Sequence, residues 1–200
     1  MLPSDDASDL TRTFNSWLFD GLAAPNATFS VYLIGNSYDT ARRIYTVAVP
    51  DFAVGQKAAF LLGGRNELPK LSVSAAGKDP SAIAEAISVS TNELRERHGR
   101  HQLVILSDMR QYSPRTWNFE DSVPVPERFV AWLKRENLFV NLQGIPVTIW
   151  GLHNHRSKDS MPYDANLDLQ LRKMWEAALQ AMGAADIEMH TGLTEASFTP

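Results

Sequence analysis

Gln102-Leu103-Val104-Ile105-Leu106, running into Ser107 and Asp108, is the stretch on which the fold turns. An aliphatic run without polar alternation is the mark of a strand covered on both faces, and such strands belong to parallel sheets. Ile145–Leu152 (IPVTIWGL) has the same character, and Asp186–His190 (DIEMH) reads as a further strand. Helical patterns separate these runs. Pro126 opens one, with Phe129, Val130 and Leu133 inward. The next carries the apolar stripe Leu167, Leu171, Met174, Trp175, Ala178 and Met182, and Gly183 ends it.

Upstream of QLVIL, Asp79 is a good N-cap and Pro80 suits the first helical position. Ile83, Ile87 and Leu94 then fall at helical intervals, with Gly99 closing the helix. Earlier still, Phe14, Trp17, Leu18 and Leu22 predict a first helix. Thr28–Ile34 and Arg43–Val49 are β-branched and aromatic, and read as a hairpin with a long loop. Residues 51–78 yield only turns and a short helix at Lys57–Leu62. The alternation of strand and helix predicts an α/β domain built on a doubly wound, mostly parallel sheet with right-handed crossovers. A single domain over 1–193 with a tail at 194–200 accounts for the chain.

The composition agrees with a globular protein: 200 residues, 44% hydrophobic, 21% charged. A net charge of −4 and a pI near 5.7 argue against a general nucleic-acid binder. Arg95, Arg97, Arg100, His98 and His101 do cluster, but at a helix C-terminus, where cations also serve the helix dipole. The chain has no cysteine, which excludes disulfides, thiolate zinc sites and a cysteine nucleophile. No apolar run is long enough to span a membrane. The acidic start MLPSDDASDL lacks a signal-peptide core, so the default address is cytoplasmic, or exported if the chain is a domain excised from a longer protein.

Ligands of open α/β sheets bind beyond the carboxyl ends of the strands. Three segments are expected there: Asp6-Ala7-Ser8 before the first helix, Asp79 and Ser81 at the start of the middle helix, and Ser107-Asp108. Hydroxyls and carboxylates from three loops suit a hard cation such as Mg²⁺. The same residue types also form caps and turns, so both readings stand.

This arrangement resembles the von Willebrand factor A family, whose adhesion site uses a D-x-S-x-S motif, a middle-loop ligand and a later aspartate. Asp6-x-Ser8 is similar to the opening motif, with Leu10 in place of its second serine. Asp79 or Ser81 is similar to the middle ligand, and Asp108 in LVILSDM to the last. The resemblance implies a three-layer sandwich, akin to a Rossmann fold, in which the hairpin contributes one antiparallel edge strand. It further implies a non-enzymatic protein-binding module, assisted by Mg²⁺ or another divalent cation held by Asp6, Ser8, Asp79, Ser81 and Asp108, without an organic cofactor. Only MLPSD precedes Asp6, so the family's central first strand is expected to be short, to lie upstream, or to come from another domain or chain.

Tyr112, Trp117 and Phe119 sit in a long loop after Asp108, and His153 and His155 follow the second buried-type strand. These are the candidate partner contacts, because long loops at a ligand edge carry function and aromatics are enriched in interface cores. The alternatives are a loop folded over the core and solvated histidines. Two other functions fit the same pattern: a metal-free scaffold domain, and a Mg²⁺-dependent hydrolase or phosphotransfer enzyme using Asp6 or Asp108. Neither a nucleophile elbow nor a phosphate loop is present. The partner is expected to be protein, not nucleic acid.

Overall fold

The computed structural model describes residues 28–34, 42–48, 82–112, 119, 122–151 and 165–190. The elements are β1 (Thr28–Leu33), β2 (Arg42–Ala48), α1 (Ile83–Arg95), β3 (Leu103–Leu106), α2 (Pro126–Arg135), β4 (Val147–Trp150), α3 (Ala165–Ala181) and β5 (Ile187–His190). The predicted first helix and residues 51–78 lie outside the described residues.

β3, β4 and β5 form a three-stranded sheet in sequential order, with both pairs parallel. The register places Ile105 opposite Ile149 and Ile149 opposite Met189. Side chains alternate across a strand, so Leu103, Ile105, Val147, Ile149, Ile187 and Met189 share one face. That face joins the core with Phe129, Trp132 and Leu133 of α2 and Leu171, Met174 and Trp175 of α3. Phe129 binds the two helices together: its ring meets Trp175 edge-on at 4.9 Å and stacks on Trp132 at 5.5 Å. All four residues of β4 are buried, as its apolar sequence requires of a central strand.

The observed architecture differs from the expected one. The sheet is small and wholly parallel, and no antiparallel strand is hydrogen-bonded to its edge among the described residues. β1 and β2 pair antiparallel with each other as a separate two-stranded sheet, with a register shift between Val31 and Tyr32. The hairpin reaches the rest of the molecule through α1, where the Tyr32 hydroxyl donates to Glu93 Oε2 at 2.8 Å. α2 and α3 pack on one another over the same face of this sheet. Among the described residues the strand order contains no reversal, and the doubly wound sandwich with an antiparallel edge is not the fold observed.

The helix ends follow local chemistry. Pro126 opens α2, with Glu127 in its first turn and Lys134 and Arg135 in its last, each complementing the helix dipole. Asn137 adopts φ 58° just beyond α2, and Leu138 N–H returns to Leu133 O at 2.8 Å. Gly183 does the same after α3, with φ 89° and Ala184 N–H donating to Leu179 O. α1 starts at Ile83, later than the Asp79-Pro80 signal implies, and its N-cap Ala82 supplies no side-chain hydrogen bond.

Arg95, in the expected basic cluster, has a structural role. Its guanidinium donates to Asn141 O at 3.1 Å and to Gln143 O at 2.6 Å, tying the end of α1 to the segment leading into β4. Among the described residues, no helix is long and apolar enough to cross a membrane.

Candidate functional site

The carboxyl ends of β3 and β4 and the starts of α2 and α3 meet at one edge of the parallel sheet. The loop leaving β3 is built by short-range bonds. Ser107 N–H continues the ladder to Trp150 O at 2.9 Å, and Ser107 Oγ accepts from Met109 N at 3.0 Å. Asp108 Oδ1 accepts from Arg110 N at 3.1 Å, the bond pattern of an Asx turn. Between them Met109 takes φ 61°, a left-handed conformation costly for a residue with a long side chain.

Long-range contacts hold that conformation. Met109 is wholly buried, and its carbonyl accepts from Trp175 Nε1 at 2.8 Å. The Arg110 guanidinium reaches Asp168 Oδ1, in the first turn of α3, at 3.5 Å. Gln111, also without exposed surface, spans to α1. Its Oε1 accepts from Ala84 N at 2.9 Å and its Nε2 donates to Glu85 Oε2 at 2.9 Å. Glu85, only 5% exposed, thus lies in the first turn of a helix with a neutral donor as partner. Gln111 is an N-cap supplied from elsewhere in the chain, satisfying a helix donor that Ala82 cannot.

The far side of the edge is closed by Trp150 and His190, adjacent across β4 and β5. Their rings stack at 3.9 Å and 11°. His190 Nε2 lies 3.5 Å from Glu188 Oε2. Gly151 ends β4 with φ 101°, where a Cβ would stand 3.3 Å from Ser107 O.

Of the residues expected at a metal site, Asp108 is at the edge, 9% exposed and engaged in its turn. Asp6, Ser8, Asp79 and Ser81 lie outside the described residues, as do Trp117, His153 and His155. Among the described residues no three histidine or carboxylate groups gather to hold an ion. The described part of the edge therefore offers a single member of the expected ligand set, Asp108.

The two described aromatic candidates differ. Phe119 is wholly buried, packed edge-on against Phe129 at 5.4 Å, and its N–H donates to Gln111 O. Tyr112 is 37% exposed. The large hydrophobic residues most exposed among the described ones are Tyr112, Val125 (56%) and Leu169 (47%). All three belong to this edge: Tyr112 follows the β3 exit, Val125 caps the start of α2, and Leu169 is in the second turn of α3. The sequence reading missed Val125, Leu169, Arg110, Gln111 and Asp168. Only Leu169 carried a signal, since it stands off the apolar stripe of its own helix.

Comparison of the chain with protein-family models, with curated proteins and with solved structures yields no match.

Proposed function

We propose that this α/β domain is a non-enzymatic protein-binding module whose contact surface is the carboxyl edge of the parallel sheet. The supporting observation is the placement of Tyr112, Val125 and Leu169, exposed apolar side chains gathered in the segments of one edge. Exposed apolar residues scattered singly need no explanation, whereas three in the segments of one edge support a partner surface there. The β3 exit that carries Tyr112 is braced through Met109, Arg110 and Gln111, and a preorganised contact surface loses less entropy on binding. A left-handed non-glycine residue held by tertiary contacts is a further feature that clusters at functional sites.

The test uses a partner captured by the immobilised full chain, its affinity then measured against wild type, Leu169→Asp and Tyr112→Ala. Both positions are exposed, so melting temperatures should stay within a few degrees. Binding should weaken at least about tenfold, the effect of losing roughly 1.4 kcal/mol at a contact. Equal affinities for all three proteins would place the contact elsewhere. Repeating the measurement in Mg²⁺ and in EDTA asks whether a cation joins the interaction; a metal-free module binds equally in both.

A further inference from the structure

The opposite edge of the sheet carries a second surface of different character. Here the segments entering β3, β4 and β5 come together: Val147 N–H bonds Asp186 O, Leu103 N–H bonds Pro146 O, and Gln143 bridges to Ala184. Between the segment entering β4 and the end of α3 runs a groove of about 450 Å³. Its apolar part is Phe139, Val140, Ala181 and Met182, and its polar lip is Asn141 and Gln143.

Cations are fixed on both sides. The Arg95 guanidinium is held on the lip by the carbonyls of Asn141 and Gln143. The Lys134 ammonium lies 4.8 Å above the ring of Phe139, itself a lining residue. Arg97, His98, Arg100 and His101 continue from Arg95 along the segment entering β3, with Arg100 and His98 exposed. Nearby acids are partly committed: Glu136 pairs with Arg135 at 2.9 Å, and Asp186 Oδ1 accepts from Ile187 N. Residues 95–101 carry three arginines against one glutamate, in a chain whose formal net charge is −4.

We infer that this groove binds an acidic peptide segment of a partner protein, seating a large apolar side chain over Phe139 and Met182 with carboxylates against Arg95 and Lys134. Charge complementarity selects the acidic character, and the apolar floor favours a peptide over a nucleic acid, whose phosphates need only the cations. The surface is separate from the proposed contact edge, so either can fail without the other.

The experiment is a selection of displayed random 12-residue peptides on the immobilised full chain, followed by anisotropy titration of synthetic winners and of a 20-nucleotide single-stranded DNA. Ala181→Glu puts a carboxylate at the exposed end of α3 in the groove wall, and Lys134→Glu reverses one flanking charge. Both are checked for an unchanged folded fraction. Winners should combine Asp or Glu with Leu, Phe or Trp, shift the amide resonances of Asn141, Gln143 and Gly183, and bind either variant at least tenfold more weakly. Replacing their acids with amides should cost a similar factor. The inference is overturned if no peptide is enriched over the Ala181→Glu protein, if winners lack acidic bias or bind both variants as well as wild type, or if their shifts fall at residues 107–112. It is also overturned, in favour of a nucleic-acid surface, if the DNA binds more tightly than every peptide.

Discussion

Gln111 uses both ends of its side-chain amide and both of its backbone polar groups inside the protein. Gln111→Ala leaves the Ala84 N–H and a Glu85 carboxylate oxygen without this partner in a buried site. Unsatisfied buried groups cost about 1–3 kcal/mol each, so the variant, which leaves two of them, should lose about 2–6 kcal/mol in a denaturant melt. A loss under about 0.5 kcal/mol would show that water replaces the amide. Thr91 presents the reverse case: it is wholly buried, and its hydroxyl has no hydrogen-bond partner among the described residues. Thr91→Val keeps the shape and removes a desolvated hydroxyl, and should leave stability unchanged or raise it by up to about 1 kcal/mol. Such residues were beyond the reach of the sequence. Gln111 reads as an ordinary loop residue, because its partners lie 26 and 27 positions away. Asp108 could be marked as an edge residue from LVILSD alone, yet its bond to Arg110 N is the turn chemistry that any aspartate there would adopt.

At the scale of elements, α2 and α3 depend on a shared aromatic seam. Phe129→Ala removes the ring that touches Trp132, Trp175 and Phe119. Emptying a wholly buried site of this kind costs about 3–5 kcal/mol, and calorimetry should show a correspondingly lower melting temperature. Arg95→Met keeps the aliphatic stem but loses the bonds to Asn141 and Gln143. The site is exposed, so the cost should be only about 1 kcal/mol after solvent screening. The identities of the described helices and strands were legible because their signals are local. Pro126 and Gly183 mark the α2 start and the α3 end, and the uninterrupted runs LVIL and VTIW are the parallel strands. The start of α1 was misread from Asp79-Pro80, because a cap from Gln111 lets the helix begin at Ile83 without a local capping side chain.

For the whole molecule, the sheet's extent was the largest error. A hairpin pattern shows that two strands pair with each other, but carries no information on whether either joins a third. Among the described residues β1 and β2 pair only with each other, β1 meets α1 through Tyr32, and the parallel sheet is β3–β4–β5. The proposed contact edge was legible only as a location, since strand polarity puts Asp108 and Tyr112 at the carboxyl ends. Which side chains face outward there depends on packing: Phe119 turns into the core while Val125 and Leu169 remain exposed. On the function proposed above, this edge meets the partner. Hydrogen-exchange footprinting of the full chain with and without a captured partner protein tests it most directly. If this edge meets the partner, residues 107–112, 122–128 and 165–170 gain protection, whether or not the groove at residues 139–143 is also covered. Protection elsewhere, with those three segments unchanged, would contradict it.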